Sequence, residues 1–230
     1  VQEAELRSLR DSLVIWTPPA AVLPSFRELF GPHARYHQEF RLLLLGLLSA
    51  HLEGDTAATG YSRELREYGA ADDTRRMTYA LSRSVEAHLA YAEGDVSRTW
   101  QELEKIDYYP RFEFISVSPF FSQALDRWLR GEVLWELGRP SEALMWFNTL
   151  SDGWGEFLFA GPAHLRQAQI YQELAEADSA TEQSDDFRAQ AIFHYGKFLE
   201  LWGGADEEFQ DLLADARAAQ EALEAGPGPL

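Results

Sequence analysis

The sequence has no cysteine, only two methionines and only two lysines. The absence of cysteine excludes disulfide bonds, thiolate nucleophiles and Cys-ligated zinc. The longest apolar run, residues 42–48, is far shorter than the roughly 20 residues of a transmembrane helix. No segment has the pattern of a signal peptide. We expect a cytoplasmic location. Secretion stays open as an alternative, because the chain begins at Val1 and we therefore expect it to be a processed or trimmed piece.

Basic residues are scarce, since the sequence has 20 basic and 38 acidic residues and the formal net charge is −18. Binding to nucleic acid requires Lys and Arg side chains that neutralise phosphates, and no run of basic residues is present. The same deficit argues against docking on an anionic membrane. The acidic charge accounts for solubility, and its more specific interpretation is a basic partner.

The sequence motifs of common enzyme classes are also missing. There is no GxSxG, no phosphate-binding glycine loop and no glycine fingerprint after a strand. His33 and His37 could share one helical face, but a zinc site needs three or four ligands and no HExxH is present. We therefore expect no enzymatic activity, no catalytic residue, no metal and no cofactor.

Helical spacing of apolar residues dominates the chain, and period-two alternation comes closest at residues 111–117. Gly54, Gly94 and Gly138 each separate two helical stretches, as expected of glycines at helix C-termini. Aligned on these glycines, three segments read LLSAHLEGDTAATGYSREL, VEAHLAYAEGDVSRTWQEL and RGEVLWELGRPSEALMWFNTL. A fourth copy is interrupted by residues 179–186, which the polar composition indicates as an insertion in its turn.

The second helices of copies three and four match in detail. Ala143, Phe147 and Leu150 align with Ala191, Tyr195 and Phe198. Spacings of four and three put each triplet on one helical face. The small residue allows two helices to approach closely, so we expect Ala143 to be buried at a helix crossing. Thr59 and Thr99 lie near this position in the first two copies.

This pattern resembles the tetratricopeptide repeat family, most closely at Gly131, Leu134, Gly138, Pro140, Ala143 and Phe147. Residues 194–223 resemble the ending of tetratricopeptide regions in some bacterial signalling proteins. The resemblance covers residues 36–223 and implies an all-α, right-handed α-solenoid with a concave groove that binds peptides or protein surfaces. It implies about four helix pairs (36–204, with the insertion near 175–186) and a capping helix (205–223). The rest of the sequence predicts N-terminal helices and a Pro-rich connector (1–35) and a tail (224–230).

The family geometry also implies which side chains line the groove. They are Arg41, Leu44, Leu48, His51, Ser84, His88, Tyr91, Trp128, Glu132, Trp135, Glu136, Gln169 and Gln172. Acids beside indoles suit a ligand that carries Arg or Lys, because a cation can stack on the ring while it pairs with the carboxylate. The alternative is that both tryptophans belong to the core. The aromatic residues between 108 and 121 are either a packed connector or a second exposed patch.

The expected function is a non-catalytic scaffold that binds a protein or peptide, as a module of a larger bacterial regulatory protein. The alternative is a structural subunit that assembles with its own copies into a homo-oligomer or filament, because an uncapped solenoid end leaves an apolar face open.

Overall fold

The computed structural model describes residues 3–17, 37–52, 55–69, 75–107, 122–151, 157–177 and 182–226. Helix accounts for 89% of these residues, and none of them lies in a strand, which confirms the all-α prediction. No helix in these ranges is both long and apolar enough to cross a membrane. The predictions for Gly54, for residues 111–117 and for the aromatic residues of 108–121 lie outside the described part of the chain.

The chain divides into two compact units, and the first is Val1–Arg111. Its described helices are α1 (Glu3–Ile15), α2 (His37–Leu52), α3 (Asp55–Gly69), α4 (Arg75–Ala92) and α5 (Val96–Glu104). Helix α2 packs against α1, α3 and α4, and α4 also packs against α3 and α5. The core of this unit therefore lies between two consecutive helix pairs, α2–α3 and α4–α5.

The second unit is Phe112–Leu230. Its described helices are α6 (Ala124–Glu136), α7 (Pro140–Ser151), α8 (Phe157–Ala177), α9 (Glu182–Trp202) and α10 (Gln210–Ala225), with a 3-10 turn at Glu207–Phe209. Helix α8 packs against α6, α7 and α9, and α10 packs against α9. Within each unit, the first helix of a pair thus contacts both its own second helix and the first helix of the next pair.

Three buried residues recur at the same spacing along each second helix, although the third of them in α5, Ile106, lies two residues beyond the helix end. The triplets are Ala58, Ser62 and Leu65; Thr99, Leu103 and Ile106; Ala143, Phe147 and Leu150; and Ala191, Tyr195 and Phe198, and all are at most 7% exposed. This confirms the predicted alignment of copies three and four, including the burial of Ala143. It also gives the register of the first two copies, where the small residue is Thr99 in α5 and Ala58, one residue before Thr59, in α3.

Glycine is required at two close contacts between a first helix and its neighbour. A Cβ atom on Gly46 would lie 2.6 Å from Val85 Cγ2, and one on Gly131 would lie 2.5 Å from Phe147 Cζ. Real Cβ contacts are longer, so both positions hold two helices at a separation that no larger residue permits.

The two described turn glycines have the backbone conformation that the sequence predicts, since Gly94 has φ +78° and Gly138 has φ +71°. The residue after each glycine bonds back to the preceding helix. Asp95 N–H donates to Ala90 C=O at 2.9 Å, and Arg139 N–H donates to Leu134 C=O at 2.8 Å. These bonds satisfy carbonyls that a helix end otherwise leaves unpaired.

The helix bounds in the last third differ from the prediction. Helix α8 begins at Phe157 and contains Pro162. Because proline has no N–H, Pro162 donates no hydrogen bond to the Leu158 carbonyl four residues earlier. Leu158 is 76% exposed, so water reaches this turn. Helix α9 begins at Glu182, so residues 182–186 belong to its acidic N-terminus rather than to an inserted turn, as the helix dipole favours.

We predict opposite effects for two glycine-to-alanine substitutions. Gly131→Ala should destabilise the chain by about 1–3 kcal/mol, because the fully buried Phe147 ring has no room to move away. Gly60→Ala in α3 should stabilise it by about 0.5–1 kcal/mol, because an added Cβ meets nothing within 4 Å and alanine favours the helix. Chemical denaturation of both variants measures the difference, and effects of the same sign would show that the α6–α7 crossing is looser than described.

Candidate functional site

The candidate site lies on facing stripes of α6 and α8. Residues three and four apart share a helical face, which places Trp128, Glu132 and Trp135 together on α6. The same spacing places Arg166, Gln169 and Glu173 together on α8. We call this set, together with Glu136, Gln172 and Glu176, the α6–α8 surface.

Arg166 is at the centre of the α6–α8 surface. Its Nε donates to Glu132 Oε1 at 2.7 Å, its Nη2 to Glu132 Oε2 at 3.2 Å and its Nη1 to Gln169 Oε1 at 2.8 Å. Its guanidinium carbon lies 5.9 Å from the ring centroid of Trp128 and 5.5 Å from that of Trp135. One guanidinium therefore makes a two-point ion pair and lies against two indole rings, which are contacts that favour arginine over lysine.

Two opposing effects act on Glu132. Burial raises its pKa above the ordinary value, the hydrogen bonds and charge of Arg166 lower it, and the charge of Glu136 raises it slightly. The net direction is upward, so desolvation outweighs the ion pair even though the pair has good geometry. The Glu132 side chain is 12% exposed and that of Arg166 is 32% exposed. Glu132 therefore depends on Arg166, because the carboxylate has lost most of its contact with water.

The two tryptophans are half-buried and contact both the core and the surface. Trp128 packs edge-on against Phe147, with ring centroids 5.2 Å apart at 70°. Trp135 Nε1–H donates to Glu173 Oε2 at 2.8 Å. Trp128 thus contacts a buried ring of α7, whereas Trp135 contacts an exposed carboxylate of α8.

Carboxylates dominate the exposed part of the α6–α8 surface. Glu136, Glu173 and Glu176 are exposed, whereas Arg166 is paired with Glu132. Gln172 donates to Glu176 Oε1 at 2.9 Å and accepts a hydrogen bond from the Tyr195 hydroxyl at 2.9 Å. The surface therefore combines two half-buried indoles with a surplus of negative charge.

In the first unit, three of the groove residues predicted from the sequence line a cleft between α2 and α4. The cleft has a volume of about 430 Å³. Its lining residues are Leu47, Ala50, His51, His88, Tyr91 and Ala92. The structure thus brings His51, His88 and Tyr91 together around one cleft. The two groups of predicted residues lie in different compact units.

Two predicted groove residues have other positions. Ser84 is 2% exposed, so it lies in the core and cannot contact a partner of the folded chain. Arg41 donates from Nε to the Leu13 carbonyl and from Nη2 to the Val14 carbonyl, both at 2.7 Å. It therefore holds the C-terminal end of α1 rather than an external ligand. Leu44 and Leu48 are half-buried on α2.

No metal centre is formed by the described residues, where no three His, Cys, Asp or Glu side chains come together to hold an ion. The His37 ring lies 5.8 Å from that of Trp16, and His33 lies outside the described ranges.

The sequence analysis missed Arg166 and Glu173. A signal was present, because Arg166 lies three residues before Gln169 and Glu173 lies four residues after it, on the stripe already predicted to line the groove. The local composition alone does not reveal that an arginine of α8 reaches a carboxylate of α6.

Comparison with known proteins gives no match, whether to family models, to curated proteins or to solved structures.

We predict that Arg166→Met destabilises the chain by about 1–3 kcal/mol at pH 7, because it leaves the Glu132 carboxylate buried without its partner. Adding Glu132→Met should recover most of this loss, since the buried charge is then removed. Denaturant titrations of the three proteins measure both effects.

The matched control is Arg139→Met. Arg139 also forms an ion pair, with Glu142 at 2.7 Å, but the two side chains are 38% and 50% exposed. Its loss should therefore change the stability by no more than about 0.5 kcal/mol. Equal losses for Arg166→Met and Arg139→Met would contradict the dependence of Glu132 on Arg166.

Proposed function

We propose that this chain is a non-catalytic scaffold that binds a protein or peptide, and that the α6–α8 surface takes the partner. The observation that carries the proposal is the pair of half-exposed indoles, Trp128 and Trp135, beside exposed carboxylates. Tryptophan is enriched among the residues that dominate binding energy at interfaces, because a single ring removes a large area from water. We further propose that the scaffold is a module of a larger bacterial regulatory protein, in line with the resemblance of residues 194–223.

The packing within each unit supports a right-handed solenoid of tetratricopeptide-like pairs as the architecture. First helices contact first helices, and the buried triplets of the second helices share one spacing. In such an array the first helices line the concave side. Within its own unit, each of the α2–α4 cleft and the α6–α8 surface lies between consecutive first helices, which is where such an array binds its ligands.

The proposed partner is a segment of basic protein or peptide. Arg166 already places a guanidinium against two indoles and a carboxylate, which is an intramolecular example of the contact that we propose for the partner. Glu136, Glu173 and Glu176 are exposed and can pair with further basic side chains. The net charge of −18 attracts such a ligand and disfavours nucleic acid and anionic membranes.

Self-assembly is the second candidate function, and exposed apolar residues favour it. At the start of α8, Phe157 is 79% exposed and Leu158 is 76% exposed. At the other end of this unit, α10 acts against open-ended assembly, because Leu213 and Ala216 pack against Phe198 of α9. Analytical ultracentrifugation tests this candidate. A sedimentation coefficient that rises with protein concentration in the unaltered chain, but not in Phe157→Ser, would favour assembly.

The test of the binding proposal begins with 12-residue peptides selected from a random library on the immobilised chain. We expect the selected peptides to be enriched in Arg and Lys. The double variant Glu136→Gln with Glu173→Gln should lower the association rate of such a peptide at low salt and flatten its salt dependence. Trp135→Ala should weaken binding by about tenfold or more, as expected for an anchor residue.

The matched controls make the same kinds of substitution on other helices. Glu221→Gln with Glu224→Gln removes two exposed acids from α10, and Trp146→Ala removes a half-buried tryptophan from α7. Both should bind the peptide like the unaltered chain. Selected peptides without basic residues would contradict the basic partner, and equal losses in the test and control variants would remove the α6–α8 surface as the binding site.

A further inference from the structure

Another pocket of the second unit lies where α9 ends and the 3-10 turn leads into α10. Its volume is about 390 Å³, which falls within the range of small-molecule sites, roughly 300–1,000 Å³. The described residues that line it are Leu201, Trp202, Gly204, Ala205, Asp206 and Phe209. None of them belongs to the α6–α8 surface or to the α2–α4 cleft, so the proposed binding function does not account for this pocket.

Two aromatic rings form walls of the pocket. The ring centroids of Trp202 and Phe209 are 5.1 Å apart, and the ring planes meet at 77°. Both side chains are half-buried and both line the pocket, so a bound group meets the π systems of two nearly perpendicular rings. Aromatic rings attract cations through their quadrupoles, and clusters of such rings recognise quaternary ammonium groups.

The Trp202 ring is held in place by the core of the unit. Its centroid lies 5.6 Å from that of Phe198, which is fully buried. On α8, Gly161 makes room for the indole, since an added Cβ atom there would overlap Trp202 Nε1. The orientation of this wall is therefore set before a ligand arrives, which lowers the entropic cost of binding.

Hydrogen bonds of the turn hold the other lining residues. Ala205 N–H donates to the Trp202 carbonyl at 2.8 Å, and Phe209 N–H donates to the Asp206 carbonyl at 3.0 Å. The Gln210 side chain donates from Nε2 to the Ala205 carbonyl at 2.9 Å. The backbone that carries the carboxylate and the second ring is thus tied to the end of α9.

The charge around the pocket is negative. Asp206 is the charged side chain among the described lining residues; it is exposed and caps no backbone N–H of the 3-10 turn. The last turn of α9 contains no basic residue, although the negative end of a helix dipole favours cations there. Glu207 and Glu208 stabilise the start of the next helical segment, so their charge has a structural reason of its own.

A single carboxylate among apolar walls selects one kind of cation. A guanidinium has five N–H donors, and the described lining side chains offer only the Asp206 carboxylate as a charged acceptor. The ammonium group of lysine is compact and strongly hydrated, so it loses more by leaving water. A quaternary ammonium has no N–H, and its charge is spread over methyl groups that pack against the rings of Trp202 and Phe209.

We propose that the pocket formed by Trp202, Phe209 and Asp206 binds a quaternary ammonium group. The group belongs either to a small molecule or to a trimethylated lysine of another protein, and the two share the chemistry that the pocket recognises. The proposal does not depend on the α6–α8 surface, because it uses none of its residues.

The test is a titration of the full chain with tetramethylammonium chloride at constant ionic strength, followed by the aromatic proton signals. We expect the ring signals of Trp202 and Phe209 to shift along one isotherm and to show nuclear Overhauser effects to the methyl protons. Choline should bind at least about tenfold more tightly than its neutral isostere, in which a carbon replaces the nitrogen, because only the cation gains from the rings and the carboxylate.

Two variants separate the contributions of the ring and of the charge. Phe209→Leu keeps an apolar side chain but removes a π face, and it should weaken tetramethylammonium binding by roughly two- to fivefold. Asp206→Asn should weaken it by a similar factor, roughly two- to fivefold. Because Asp206 is exposed, this variant keeps the test valid even if Phe209→Leu loosens α10.

The matched controls change residues that do not line the pocket. Phe193→Leu alters a ring on α9 that is 52% exposed, and Glu207→Gln removes the acid next to Asp206; both should bind like the unaltered chain. Equal affinity for choline and its neutral isostere would overturn the proposal. Shifts of Trp128 and Trp135 without shifts of Trp202 would also overturn it, since the cation would then bind the α6–α8 surface.

Peptides identify the source of the quaternary ammonium group. A trimethyllysine peptide that binds more tightly than tetramethylammonium, and loses affinity in Phe209→Leu, would support the pocket and assign it to a modified protein. Equal affinities of the peptide and of tetramethylammonium, with the same loss in Phe209→Leu, would support the pocket and assign it to a small molecule. Binding of trimethylated and unmethylated lysine peptides with equal affinity would contradict the selection for a quaternary ammonium.

Discussion

The close approach of paired helices is the constraint on which the rest of the structure depends. In the second unit it appears as the contact of Gly131 with Phe147, where a single added methyl group would overlap the ring. The same need for a small residue recurs in every described second helix, as Ala58, Thr99, Ala143 or Ala191. Because these crossings fix the angle and separation of the helices, they also determine which side chains of consecutive first helices can meet.

Opposite faces of helix α8 make different contacts, because α8 packs against a different helix on each side. One face carries Arg166, which joins α6 through Glu132 and organises the two indoles. The opposite face carries His164, which joins α9 through His194. The same helix therefore contributes to the proposed partner surface and packs against α9 through a pair of buried histidines.

Much of the fold could be predicted from the sequence because it depends on local spacing. The triplet of Ala143, Phe147 and Leu150 and the turn at Gly138 are visible as periodicity and as a helix end. The start of α9 at Glu182 was missed because a run of polar and acidic residues is typical of both a turn and a helix N-terminus. The site was predicted only in part. Trp128 and Glu132 follow from one helix, but their contact with Arg166 depends on how α8 packs, and Ser84 is buried by a neighbouring helix that periodicity does not place.

The central functional claim is that a basic partner binds on the α6–α8 surface, and the indole resonances of the seven tryptophans test it most directly. A 1H–15N spectrum recorded during titration with a selected basic peptide reports each indole Nε1–H separately. The account predicts that the signals of Trp128 and Trp135 shift with the binding isotherm while that of Trp146 on α7 stays in place. Saturation of the chain with peptide while the Trp128 and Trp135 signals remain unchanged would contradict it.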